Sequence, residues 1–331
     1  MRWEIITMVF VLAATRVAMP AVPASGGGSP ASSIALTKSI TSQVPADTRW
    51  IIYLNFDQAM KTPDAGKLLY QFLNSHPSAK STIGKVETIL GNKFPDDFHQ
   101  ILIMGRQVGP GHGVVVMHAT AAQSHISQLI ALNSAASTMT VGKTRVNMIP
   151  SSDSKGYTTF EASPEQGTFV VSRSEHAIAD ELHVLTGKSN GMTMNNPLLV
   201  GLHQKAIIYV ADTDIAQLAN RPGRHHGPGW MKSVTGAWMA LQEKNNKIDV
   251  KGRIALINAE SAARIVQIAQ GWQAAMDLGA TSAHANPHQI FMAGLADRLN
   301  VGAIGKVISF HWTMSLAKLL AGPRKPTTAA E

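Results

Sequence analysis

Trp50-Ile-Ile-Tyr-Leu-Asn-Phe56 is the stretch on which the fold turns. β-Branched and aromatic residues follow one another there without a helical gap, which predicts a buried strand. The phrase returns as Ile207-Ile-Tyr-Val210. A second pair follows the same order: His125-Ile-Ser-Gln-Leu129 and Arg264-Ile-Val-Gln-Ile268 each stand at the front of a predicted helix, just after β-rich sequence. Lys143–Ile149 and Val301–Thr313 form a third pair, each after a helix. The offsets between partners differ, so an exact repeat is excluded. What the pattern predicts is an α+β fold made of two diverged repeats of an antiparallel sheet packed with helices. The division falls near Asn195-Asn-Pro197, giving halves at 44–195 and 196–320.

Within the first half, helical spacing of Leu68, Leu69, Phe72 and Leu73 predicts a helix from Pro63, and others are expected over 81–90 and 124–132. His99–Met104 and Val114–His118 are expected to form a hairpin around the glycine-rich loop 105–113. Thr138–Ile149, Tyr157–Ala162 and Thr168–Ser172 read as three further strands. Ser174 opens a helix to Leu185, closed by Gly187. Asn220–Gly229, rich in glycine and proline, reads as a loop.

The termini predict export. Arg2 precedes an apolar run of 11 residues, Ile5–Thr15, too short to cross a bilayer, and Val22 and Ala24 suit a signal-peptidase site. Residues 1–24 are therefore read as a signal peptide, 25–43 as a flexible leader and 321–331 as a disordered tail, with the mature chain periplasmic or secreted. The sequence has no cysteine, which excludes disulfides, thiol nucleophiles, Cys-ligated zinc and a lipidated cysteine. A net charge of +8 arises from dispersed lysines and arginines. That pattern suits weak attraction to anionic surface polymer or lipid, not specific nucleic-acid binding. No partner or cofactor is indicated.

Candidate chemistry is sparse. Gly187-Lys-Ser-Asn-Gly191 has the spacing of a nucleophile elbow, but a helix precedes it where a strand is needed, so Ser189 reads as a loop residue. Ser315-Leu-Ala-Lys318 sits too near the end of the chain for the companion motifs of a serine–lysine enzyme, and reads as part of a terminal helix. His225 and His226, with His112, His284 or His288, read as surface histidines. The strongest constellation is His176, Asp180 and His183, at i, i+4 and i+7 on one arc of the 174–185 helix, a set able to hold a divalent metal. Ile178, Leu182 and Leu185 make the buried stripe of that helix, leaving the polar arc to solvent.

Val44-Pro-Ala-Asp-Thr48, followed by an apolar strand, Asp57 and Thr62-Pro63, resembles the opening of a group of exported bacterial proteins of unknown function. The likeness continues through Gly167–Val171 and Ile248–Gln270. It implies an exported, duplicated α+β protein and carries over no site residues. Together these readings lead to an exported, non-enzymatic binding or scaffolding protein, with a hydrolase or metal-dependent enzyme at Ser189 or the His176/Asp180/His183 face as the alternative.

Overall fold

The two tyrosine-bearing runs meet at the centre of the molecule. The computed structural model describes residues 40–62, 65–66, 93, 96–107, 112–120, 135–150, 158–193, 195–203, 205–216, 229–282 and 285–315. In chain order the strands are β1 (Trp50–Asn55), β2 (Phe98–Gly105), β3 (Gly113–Ala119), β4 (Ser137–Val141), β5 (Thr144–Pro150) and β6 (Thr158–Glu165). They continue as β7 (Thr168–Ser172), β8 (Ile208–Asp212), β9 (Val234–Lys244), β10 (Lys247–Leu256), β11 (Leu299–Ile304) and β12 (Val307–Ser315). The described helices are α1 (Phe56–Lys61), α2 (Glu175–Leu185), α3 (Ala259–Thr281) and α4 (Pro287–Ala296).

All the strands join one 12-stranded sheet in the order β11-β12-β10-β9-β8-β1-β2-β3-β7-β6-β5-β4. Every pairing is antiparallel. The fold is α+β. Tyr53 stands opposite Tyr209 where β1 pairs with β8. Outward from that pair the order is β8-β9-β10-β12-β11 on one side. On the other it is β1-β2-β3-β5-β4, with the β6–β7 hairpin wedged between β3 and β5.

Side chains alternate faces along a strand, so one row of directly opposed residues reveals what covers a face. The row through the centre runs Tyr209, Tyr53, Leu102, Val116, Val170, Ala162, Val146 from β8 to β5. Each member is at most 2% exposed. Ile178, Leu182 and Leu185 of α2, with Leu198, Leu199 and Leu202, pack onto this face. In the other direction the row reads Ala240, Lys251, His311, Asn300. Burial ends after Ala240, so beyond β9 the same face is open and polar. The opposite face is covered by α1 near Phe56 and by α3, whose Ala262, Ile265 and Val266 meet Leu256 and Ile308. Apolar rows thus stop where the covering helix stops, because an uncovered apolar row would face water. Among the described residues no helix is long and apolar enough to cross a membrane.

Several sequence-based expectations are refined. Thr138–Ile149 is not one strand but the β4–β5 hairpin, closed by Gly142 at φ 64°. A two-residue loop with positive φ at its first position matches the right-handed twist of the flanking strands, which glycine allows without strain. β9 went unread, and its turn to β10 uses Asn245 and Asn246 at φ 53° and 58°, the pair of left-handed residues that a tight hairpin requires. A short helix not anticipated from the sequence, Phe56–Lys61, follows β1 and is capped by the Asn55 side chain, whereas the helix predicted from Pro63 lies, apart from residues 65–66, outside the described residues. Ser315 ends strand β12, not a helix, and Lys318 lies outside the described residues. The helices expected over 81–90 and 124–132, the loop 220–228, the signal peptide and the tail also lie outside them. The chain is already packed ahead of Val44: Ile40–Gln43 form a 3-10 turn, and Gln43 is buried beside His118, whose Nε2 lies 2.9 Å from its Oε1.

Candidate functional site

α2 begins where the sequence says it should. The Ser174 hydroxyl accepts from Ala177 N at 3.2 Å, and Gly187 ends the helix at φ 72°, with Lys188 N and Ser189 N donating to His183 O. This is a glycine-terminated helix end, in which the left-handed residue turns the chain back to satisfy free carbonyls. Ser189 is an exposed member of that turn, so the elbow geometry needed for a nucleophile is missing.

The first turns of α2 face the end of β2 with Arg106 and Gln107, the start of β3, and the turn Pro45–Thr48. Between them lies a cleft of about 220 Å³ lined by Pro45, Thr48, Met104, Arg106, Val114, Ala177 and neighbours. The Pro-Ala-Asp-Thr phrase forms its rim: Thr48 N donates to Pro45 O at 3.1 Å and Arg49 N to Gly105 O at 2.9 Å. Pro45 bridges Gly191, and Met192 N donates to Val44 O. Gly105 must be glycine, since a β-carbon there would come 2.5 Å from His112 O and 2.7 Å from the Trp50 ring.

Charged groups are gathered at the mouth. Arg106 joins the three elements, its Nε 2.5 Å from Asp47 and its Nη2 2.5 Å from Asp180. His176 Nε2 is 3.2 Å from the same Asp180 oxygen. The contacts to Asp180 Oδ2 are ionic pairings without hydrogen-bond alignment. One residue further along lies the group the sequence reading missed. Glu181 is 0% exposed and lines the cleft, and among the described residues neither of its carboxyl oxygens has a hydrogen-bond partner. Burial alone pushes its pKa well above the ordinary carboxylate value, because the charged form loses its hydration and gains nothing in exchange. The signal was present: Glu181 is i+3 from Ile178 and i−4 from Leu185, on the buried stripe itself.

Of the predicted metal set, His176 and Asp180 come together and His183 does not join them; it is half-buried further along the helix. Among the described residues no group of three His, Asp or Glu side chains could hold a metal ion. The physical reason is local: a guanidinium already stands against Asp180, where a divalent cation would be repelled. His112 lines the same cleft, whereas His225, His226 and His284, and the side chain of His288, lie outside the described residues.

A second, wider concavity lies on the open face of β9, β10, β12 and β11, lined by Trp238, Lys251, Arg253, Asn300, Phe310 and His311. Beneath it Asp249 is 4% exposed and receives Gln242 Nε2 at 2.7 Å, Lys251 Nζ at 3.1 Å and a short contact from His311 Nε2. Burial pushes its carboxyl up, but the hydrogen bonds from Gln242, His311 and Lys251 outweigh that and hold it below the ordinary value.

No family model and no curated protein matches the chain. Among solved structures it is similar to crystal form III of TP0453, at TM-score 0.48 and 9% identity, over 85% of this chain and 96% of that one. Crystal form I of the same protein gives TM-score 0.44 and 10% identity over 86% and 96% of the two chains.

Proposed function

We propose that this chain is an exported, non-enzymatic binding protein acting in the periplasm or outside the cell, and that the cleft beneath Arg106 receives its ligand. The observation that carries the reading is Glu181: a carboxyl held in a cleft with no partner costs stability that an ordinary folding site would not retain. Arg106, tied at both ends, gives the mouth a preorganised shape. The strand order on either side of the β1–β8 pair supports the further proposal that the two halves are diverged copies of one α+β unit. That history accords with the exported group whose opening phrase this chain resembles. For the alternative enzyme, Ser189 sits in the turn beyond α2 with its N–H on His183 O, about 10 Å along the helix axis from His176 at 1.5 Å per residue.

Ala177 lines the cleft at the edge of the core, only partly buried, so Ala177→Phe should fill the space, and a cooperative unfolding transition checks that the variant is folded. Screening small molecules by thermal shift should yield ligands that stabilise the natural protein and lose at least tenfold in affinity for this variant. Ligands that bind both equally would place the site elsewhere.

The excess positive charge supports a second, weaker attraction to anionic surface polymer or lipid, which we assign to the open face carrying Lys251 and Arg253. Retention on an anionic matrix at low salt should fall on Lys251→Ala/Arg253→Ala substitution and vanish at high salt. Unchanged retention by the double variant would remove this face from consideration.

A further inference from the structure

The acid-rich character of the cleft runs against the charge of the whole chain. Around Glu181 stand Asp47 on the rim turn, Arg106 and His112 on the hairpin, and His176 and Asp180 on α2 itself. Three carboxyl groups therefore meet one guanidinium, in a protein of net charge +8. Among the described residues of the sheet face beneath α2 stand also Tyr53 and Tyr209, whose phenols burial pushes up, and His118 of β3, whose ring nitrogens are engaged by Gln43 and Thr168. Arg106 spends its charge on Asp47 and Asp180 and makes no bond to Glu181. The inner end of the cleft is thus short of a hydrogen-bond donor and of positive charge. Its walls, by contrast, are apolar: Pro45, Met104, Val114 and Ala177. A volume of about 220 Å³ is that of roughly seven waters at about 30 Å³ each.

We propose that the cleft binds an aliphatic organic cation, an alkylammonium, whose methylene stem lies on Pro45, Met104, Val114 and Ala177 and whose nitrogen pairs with Glu181. The inference rests on the reading of the cleft as a ligand site. An ammonium group has three donors and no acceptor, which suits a carboxylate with both oxygens free. A neutral alcohol would satisfy one oxygen and leave the acid protonated. A carboxylate ligand would meet Asp180 as a like charge and could not pair with Glu181 once that group ionises. Because burial favours the protonated form of Glu181, the entering cation, which pairs with the carboxylate, displaces a proton to solvent wherever that form prevails and leaves a carboxylate–ammonium pair.

The test is an NMR titration of the whole protein with n-butylammonium, n-butanol and n-butyrate at pH 6, 7 and 8, following the amides of Gly105 and Ala177. Butylammonium should bind best, and its affinity should rise toward tenfold per pH unit while free Glu181 remains protonated, since one proton leaves per cation bound. Glu181→Gln, which keeps shape and neutrality, should lose at least tenfold in affinity and the whole pH dependence. Equal affinity at pH 6 and pH 8, or undiminished binding by a folded Glu181→Gln protein, would overturn the proposal. Should butanol or butyrate bind better and be excluded by Ala177→Phe, the cleft would stand as a ligand site and the cation would fall. If none of the three moves those amides, both readings fail for ligands of this size.

Discussion

Glu181→Leu is expected to raise the stability of the protein, and to raise it more at pH 8 than at pH 5. In the protonated form that burial favours, the carboxyl is unpartnered, so replacing it with an apolar side chain of similar size removes a penalty of about 1–3 kcal/mol. Above the ordinary carboxylate value a second penalty appears. Between the unfolded value and the raised folded one, the unfolded chain ionises Glu181 while the folded chain retains the proton, so the folded state binds more protons and loses stability as pH rises. The loss approaches about 1.4 kcal/mol per pH unit until the folded group itself ionises. Leucine does not titrate, and the slope should disappear. Urea unfolding of both proteins at pH 5, 6, 7 and 8 measures the effect, and parallel pH profiles would show that Glu181 is not buried as an acid.

Asp249→Asn should act in the opposite direction. The natural carboxylate is held below its ordinary pKa, so its contribution is fully present above the unfolded value and is lost as pH falls through the folded one. Asparagine keeps the shape but gives up the charge that Lys251 and His311 share, and it leaves an amide N–H₂ facing donors. About 1–3 kcal/mol should be lost at pH 7, at the lower end because Lys251 and His311 are themselves half-exposed. The deficit should close in acid, where the natural protein loses the same interaction. From these two groups alone the natural protein is most stable in mild acid, between the loss of Asp249 below and the burden of Glu181 above. Denaturation of Asp249→Asn at pH 3 and pH 7 would count against this account if the deficit were the same at both.

The two carboxylates illustrate why the site was harder to read than the fold. Asp180 was found by its spacing from His176, and the structure does bring that pair together. Its chief partner, Arg106, lies in a loop 74 residues earlier, at a separation no helical period connects. Glu181 was passed over because a charged residue beside a polar arc is read as solvent-facing, although its spacing from Ile178 and Leu185 placed it inside the stripe. The Gly187 cap, by contrast, was legible because it depends on the helix alone. Among the strands, β4 and β5 were merged since alternation continues through Thr138–Ile149, and the turn at Gly142 interrupts it for only two residues.

By itself, then, the sequence determined that Trp50–Asn55 and Ile208–Val210 lie in buried strands, that α2 is capped by Ser174 and closed by Gly187, and that the fold is α+β. These outcomes rest on local periodicity and backbone preference, which neighbouring residues settle among themselves. Only the tertiary structure decided that Tyr53 and Tyr209 stand opposite each other, that one sheet takes in all twelve described strands, and that its covered face ends at Ala240. It alone placed Arg106 against Asp180 and left Glu181 without a partner. The reason is that pairing, coverage and desolvation depend on which distant surfaces meet, and an isolated segment carries no term for surfaces it does not contain.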